Sequence, residues 1–486
     1  MRIWLLFPNQ LFDPEMLIQK WIELKEPKII FLEHPIYFGS KERISNFNKV
    51  KLVFHRASMK AYEGICQSLE ALDLEYFDWN IIQDKGLSSL LPRGQWHLWD
   101  PMDHLLATQL QKEAKTAKST LNFHPTPMFL FTNEKVIEYA ASVKTYRHRQ
   151  FYEWAKQELD ILVDVPSFDT KNRKPFPVDV EFPPLPANDN QLRVVKEAKN
   201  YIETTFPTNY GKVEDLVFPV THETSQKWFQ TFLDTRFEQF APYQDAMSDE
   251  NDFGFHSLIS PMLNAGLLDP KWILKKLRTA KNISLQGFET FARQLIGWRE
   301  YARMLYLVEY STMKSNYFNN TRQPTAAWYT GDLGLLPVDH TIQAAFGNAY
   351  LHHILRLMMM SNIFNLVGIH PDLVYKWFME FACDSYDWVM INNVYSMGLW
   401  ADGGLTMRKP YLSSGNYILK MSNFPKGSWV KVWKALFYNF LVDHEDKLSK
   451  TPYMRNLGYF KGLAKPKQIE LLSLANKFIE KVTRQM

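Results

Sequence analysis

Cysteine is nearly absent: the 486 residues hold only Cys66 and Cys383. Two thiols so far apart exclude a disulfide framework and point to a reducing compartment. They lack CxxC spacing, and no His-Glu-x-x-His run occurs, so the common zinc-hydrolase patterns are excluded and no metal ligand set is expected. Long apolar runs are missing too. Arg2–Phe7 carries one charge and ends at Pro8-Asn9-Gln10, too short for a membrane span or a secretion signal, and reads as a buried first strand. No tandem repeat of fixed period is evident. Excess charge of one sign is scarce: a formal +4 permits a nucleic-acid partner through a local patch without establishing one.

Aromatic residues are what the chain has in quantity, with 15 Trp, 23 Tyr and 34 Phe. They serve either to fill helical cores or to provide stacking surface for a flat ligand. At this length more than one domain is expected. Arg2–Phe7, Ile29–Leu32, Leu52–Phe54 and Leu74–Phe77 are short apolar segments, with helical stretches such as Leu17–Glu26 and Ala57–Leu72 between them. That alternation predicts a parallel α/β domain over residues 1–132. Its ligand crevice should lie beyond the strand ends, at Asn9-Gln10, Glu33-His34 and His55-Arg56. Residues 133–222 join a helical stretch, Lys135–Leu159, to an extended linker at Phe168–Pro186; the helix carries a basic cluster of Lys144, Arg147, His148 and Arg149. Residues 223–486 read as a large helical domain, with Trp228, Phe229, Phe232, Leu233 and Phe237 at helical spacing.

Within the helical half, His256, Ser257 and Ser260 stand at the start of a helix-like segment, where backbone N–H groups and hydroxyls can hold a phosphate or simply cap the helix. Gln294, Trp298, Arg299 and Tyr301 place polar groups inside an apolar helical pattern, and a buried Arg299 requires a carboxylate or phosphate partner. His352 and His353 are adjacent in an apolar run, so on a helix they point about 100° apart. One reading makes them a core and a surface histidine; the other makes one a proton donor. Asp402-Gly403-Gly404 can turn sharply against a flat ligand. Lys409, Lys420 and Lys426 alternate with Tyr411, Tyr417, Phe424 and Trp429, as a phosphate-gripping and base-stacking face would require.

The ordered set Phe240–Met247, His256–Ser260, Gly297–Tyr301, Thr330-Gly331-Asp332, His352-His353 and Ala401–Ser422 resembles the photolyase and cryptochrome superfamily. The best match is its bacterial branch, the iron–sulfur cryptochromes and photolyases, or deoxyribodipyrimidine photolyase-related proteins. The resemblance implies a Rossmann-like antenna domain followed by a helical domain that holds FAD. It assigns FAD contacts to His256, Ser257, Ser260, Gln294, Trp298, Arg299, Tyr301, Asn393, Asp402 and Gly403. It further implies light-driven repair of pyrimidine (6-4) pyrimidone lesions in UV-damaged DNA, with His353 donating a proton, His352 beside it and Tyr411 near the lesion. DNA contacts fall to Lys409, Tyr411, Lys420 and Lys426. Trp377 matches the flavin-proximal electron donor, with exit through Tyr329 or Trp328.

Departures from the family pattern are equally specific. The four cluster cysteines correspond to Pro337, Pro425, Ser428 and about Lys431, so no iron–sulfur cluster is expected, and Val432, Trp433, Leu436 and Phe437 would fill the region with apolar side chains. Met390 stands where relatives carry Glu near the flavin. Asn9 replaces an Asp while Glu33 is retained at the place where relatives bind a 6,7-dimethyl-8-ribityllumazine antenna. The resemblance suggests a monomeric, cytoplasmic bacterial protein with no membrane and no obligate protein partner. Two other readings stand beside repair: a cryptochrome-like photoreceptor that keeps FAD, and a nucleic-acid binder that lacks it.

Overall fold

The computed structural model describes residues 1–69 and 72–485. Five parallel strands, β1 (Arg2–Leu6), β2 (Lys28–Leu32), β3 (Leu74–Phe77), β4 (Gln95–Trp99) and β5 (Thr120–His124), form one sheet in the order β3-β2-β1-β4-β5. The central strand is covered on both faces, which explains its unbroken apolar run: Ile3, Trp4, Leu5 and Leu6 are all buried. Ile3 pairs with Lys28 on one side and with Trp96 on the other.

Strand order reverses between β1 and β4, the usual ligand crevice of an open α/β sheet. Here that crevice is closed by the chain itself. Gln10 Nε2 donates to the Trp99 carbonyl at 2.7 Å, and Asn9 Nδ2 donates to the Pro101 carbonyl at 3.1 Å. The Leu11 N–H donates to Ala265 of the helical half at 2.9 Å.

Leu52–Phe54, expected as a strand, lies inside the helix Lys49–Gln67, which Asn48 caps by accepting from the Val50 N–H. The misreading has a physical cause. Val50, Leu52, Val53, Phe54 and Ala57 are all fully buried between sheet and helical half, and the polar Lys51, His55, Arg56 and Ser58 among them are buried too, so no solvent-facing stripe marks the helix here. His55 and Arg56 are therefore helix residues and not strand-end loops. Glu70 and Ala71 of the expected Ala57–Leu72 helix lie outside the described residues. The Lys135–Leu159 stretch is two helices, Asn133–Ser142 and His148–Glu158.

Phe168–Pro186 is extended apart from the short turn Asp169–Lys171, and its Phe176 and Phe182 pack against Phe255. The chain then returns as helix Arg193–Thr205, which packs on Lys49–Gln67. The second half opens with His222–Thr235, capped by Thr221, and is helical apart from an antiparallel pair, β6 (Arg322–Pro324) and β7 (Thr483–Gln485). Where the family pattern has cysteines, helix Trp429–Asp443 buries Trp433 and Leu436 and packs on Lys465–Val482. Lys431 is exposed and pairs with Glu470 at 2.5 Å. No described helix is long and apolar enough to cross a membrane.

Candidate active site

Two spaces with shared lining residues lie in the helical half and between it and the segment 148–173. The inner one is a cavity of about 270 Å³ whose wall includes His256, Ser260, Asn264, Arg299, Arg356 and Asn393. The outer one is a cleft of about 720 Å³ whose wall includes Asp169, Arg173, Asp245, Lys409, Tyr411 and Tyr417. Gln294, Trp298, His353 and Met397 border both. Gln294 and Trp298 come from a π-helical turn, Arg293–Trp298, that runs directly into helix Arg299–Met313. Another such turn, Leu355–Ser361, follows the histidine pair. Wide turns of this kind push side chains inward and recur at functional sites.

The inner cavity wall includes a buried polar group that the protein leaves without a partner, on His256; His352, which stacks on it, does not itself line the cavity. His256 and His352 stack with ring centroids 4.4 Å apart and planes 11° from parallel. His256 Nε2 and His352 Nδ1 have no hydrogen-bond partner. Burial, helped by repulsion from His353, pushes His256 down to about 3; burial, with repulsion from His256, His353 and Arg356, pushes His352 well below the ordinary histidine value. Both rings are therefore neutral near pH 7. Arg299 does not find the anionic partner its sequence context required. It donates to the Met128 carbonyl at 3.2 Å and to Asn264 Oδ1 at 3.1 Å, and its guanidinium sits over the rings of Phe129 and Trp388. Withdrawal from water pushes it down to about 10.

Asp384 organises the cavity wall, and sequence reasoning missed it. It accepts from Ser260 Oγ at 2.7 Å and from Arg356 Nη2 at 2.9 and 3.0 Å, while its carbonyl accepts from Asn264 at 2.9 Å. Neither Asp384 nor Arg356 belongs to a recognisable motif; long-range folding alone joins them. Met390 and Trp388 also line the cavity. Ser257 lines it as well, its carbonyl held by Trp228 Nε1 at 2.9 Å.

Three expected contacts lie elsewhere. Tyr301 is buried behind the wall, packed on Phe151 and His148 with its hydroxyl unpartnered. Asp402 is spent on its own turn, accepting from the Gly404 N–H and from Thr406. Gly403 has φ +67°, and a Cβ there would strike Tyr317 at 2.6 Å, so glycine is required by turn geometry and close packing.

In the outer cleft, His353 is open to solvent at the junction, yet the surrounding protein and the nearby Arg356 and Arg293 push it down to about 4. The expected cationic donor is thus a neutral ring near pH 7 in this setting. Asp169 pairs with Arg173 and, at 2.9 Å, with Arg293. Burial pushes Asp245 up to about 6. Lys409 and Tyr411 line the cleft; Lys420 and Lys426 are exposed outside it. His148, read as part of a basic cluster, is instead stacked on Trp298 at 3.7 Å and pushed by burial to about 3.

Trp377 is fully buried and does not line the cavity. One ring separates them: Phe381 lies 4.8 Å from Trp377 and 5.8 Å below the Arg356 guanidinium. Trp377 Nε1 donates to the Trp328 carbonyl at 2.8 Å. Trp328 is itself enclosed, stacked on Phe364. Phe346 touches both Trp377 and Tyr329, and Tyr329 stacks on Tyr210 at 4.9 Å. Tyr329 and Tyr210 are only partly buried, whereas Trp328 is enclosed.

The expected antenna pair is engaged internally. Asn9 and Glu33 are both buried. Glu33 accepts from Arg56 and from the Tyr76 hydroxyl at 2.6 Å each, and from the Trp79 N–H at 2.9 Å. Asn9 Oδ1 alone is unpartnered.

An α/β sheet domain joined to a helical half with a central cavity is the architecture of photolyases and cryptochromes. The structure is similar over 99% of this chain to a bacterial class III photolyase from Agrobacterium tumefaciens, 98% of which is covered, with a TM-score of 0.56 and 13% identity. It is also similar to a cryptochrome from Synechocystis, with a TM-score of 0.55 and 14% identity over 97% of this chain and 93% of the other. Residues 4–218 match the family described as "Deoxyribodipyrimidine photo-lyase-related protein". A (6-4) photolyase from Agrobacterium fabrum is 33% identical over 379 residues, 73% of this chain and 72% of the relative. An uncharacterized protein from Acanthamoeba polyphaga mimivirus is 63% identical over 91 residues, 18% of this chain and 74% of the relative. The chain belongs to the photolyase/cryptochrome family.

Among the described residues no group of three or more His, Cys, Asp and Glu side chains is placed to hold a metal ion. The two cysteines, Cys66 and Cys383, are both buried and free.

Proposed function

We propose that this protein is a light-driven DNA repair enzyme that holds FAD in the inner cavity and acts on pyrimidine (6-4) pyrimidone lesions entering from the outer cleft. The observation that carries this reading is the position of His353 on the border shared by the two spaces. The cavity suits the cofactor chemically. Arg299 forms no ion pair among the described residues and shares the cavity wall with Ser257, a positive charge and a hydroxyl that suit a phosphate, while the Ser260 hydroxyl is already donated to Asp384. The unpartnered His256 Nε2 belongs to a residue of this wall and is free to meet a polar atom of a ligand. Bound there, FAD supplies the one-electron chemistry driven by light.

The residues of the chain bind, orient and move a proton. Tyr411, Tyr417 and Tyr453 offer rings for an extruded base, and Arg149, Arg173 and Lys409 offer charge to the strand. A damaged base pair lowers the cost of extrusion. His353 begins neutral. Negative charge arriving on the lesion would raise its affinity for a proton, because opposite charges a few ångströms apart in a partly buried site favour the cation. It could then donate to the oxygen substituent that must return to its own ring. The (6-4) photolyase from Agrobacterium fabrum supports this choice of lesion.

The neutral state of His353 favours one other reading, a flavin photoreceptor without repair. An illuminated assay of reduced protein on separate (6-4) and cyclobutane substrates separates them. Repair of the (6-4) lesion alone supports the first reading; repair of neither, with normal flavin photoreduction, supports the second.

A further inference from the structure

We propose that Glu380 is the proton acceptor for Tyr329, so that the outward electron path from Trp377 ends on a proton-coupled tyrosine. This rests on the flavin reading given above. The Tyr329 hydroxyl donates to Glu380 Oε2 at 2.8 Å. Glu380 is 2% exposed, and its other oxygen lies 3.8 Å from Lys376 Nζ. A phenol that loses an electron becomes a strong acid, and a half-buried one needs an acceptor within hydrogen-bond reach. Tyr329 has one. It is also the ring that Phe346 links to Trp377, at centroid distances of 5.5 and 5.6 Å, while its opposite neighbour Tyr210 is stacked at 16° toward the exterior. Trp328 lacks such an arrangement: its Nε1 donates to the Val482 carbonyl, which does not take up a proton.

The step balances. Flavin held in the cavity would, on illumination, supply the one-electron oxidant for Trp377. The Trp377 radical cation takes one electron from Tyr329. The Tyr329 O–H bond breaks as an O–H bond forms on Glu380 Oε2. What results is closed-shell Trp377, a neutral tyrosyl radical and a neutral carboxylic acid. Back transfer to Trp377 then requires the proton to return, which prolongs the separated state.

Groups facing Glu380 are Tyr329 from helix Ala327–Thr330, Lys376 from its own helix and, further off, Tyr210. Burial pushes the carboxyl up to about 7, against the Tyr329 bond and Lys376, which pull it back. Below that pH the site already holds a proton and cannot accept another.

The test is flash photolysis of the flavin-loaded protein, read by transient absorption and electron paramagnetic resonance. The wild type should give a tryptophan radical followed by a tyrosyl radical that forms more slowly in heavy water and diminishes as pH falls through about 7. Glu380→Gln should keep the tryptophan radical, cut the tyrosyl rate about 100-fold or more, and remove the pH step. Tyr329→Phe should keep the tryptophan radical alone, which tests the assignment even if the Glu380 variant fails to fold. A tyrosyl radical surviving Tyr329→Phe, forming at the wild-type rate in Glu380→Gln, or showing no pH step in the wild type would overturn the proposal. A tryptophan radical with no tyrosyl successor in the wild type overturns this proposal alone, whereas a chain without flavin overturns it together with the reading it rests on.

Discussion

The imidazoles of His256 and His352 lie face to face at 4.4 Å, one from a loop before helix Ser260–Ala265 and the other from the segment before Leu355–Ser361. Both are held neutral by burial, from an ordinary value of 6.5. The unfolded chain therefore binds more protons than the folded one between about 6.5 and about 3, and stability falls as pH drops through that window. Thermal unfolding against pH should show this loss, and His256→Asn should flatten the slope by on the order of a few degrees in midpoint. An unchanged slope would mean that the pair does not carry the effect.

Replacing His353 with Ala removes the one titratable group that, among the described residues, borders both spaces. Bound flavin should remain, and (6-4) repair should drop about 100-fold or more, the usual scale of a lost general acid. Retained repair in the variant assay removes His353 from the chemistry.

Arg299 makes no ion pair among the described residues while lining the cavity. Arg299→Met keeps the bulk over Phe129 and Trp388 and deletes the charge. FAD affinity should weaken about tenfold or more, as expected for a lost charge-assisted phosphate contact. Equilibrium binding of FAD to the stripped protein measures it; unaltered affinity would place the phosphates elsewhere.

Trp377→Phe removes an indole whose N–H is bonded to the Trp328 carbonyl. Stability should fall by about 1 kcal/mol from that bond. Flavin photoreduction should slow markedly, while protein reduced chemically beforehand should repair as before. Equal photoreduction rates in variant and wild type would exclude Trp377 from the path.

With two cysteines in the whole chain, a four-thiolate cluster cannot be assembled. Elemental analysis of protein purified without oxygen should find no stoichiometric iron; four iron atoms per chain would require ligands of another kind.

Much of the architecture was legible because β1 and β2 are unbroken apolar runs and Trp228, Phe229 and Phe232 repeat at helical spacing. Leu52–Phe54 reads as a strand because the first half of its helix is buried on all sides, its polar Lys51, His55 and Arg56 included. Edge strand β5 escaped notice because Thr120–His124 is half exposed and mixed in polarity. In the cavity, adjacent motifs such as His256 to Ser260 were readable from local chemistry. Asp384 and Arg356 were not, since their pairing spans 28 positions and exists only after folding. Glu33, expected at the antenna site, accepts hydrogen bonds from Arg56 and Tyr76, partners that its place in the sequence does not reveal.

The most direct measurement is the flavin content of the purified protein, by its absorption spectrum and by quantifying what heat releases. One FAD per chain, reduced further in light and bound more weakly by Arg299→Met, is the predicted result. A colourless chain that fails to take up FAD on reconstitution would contradict it.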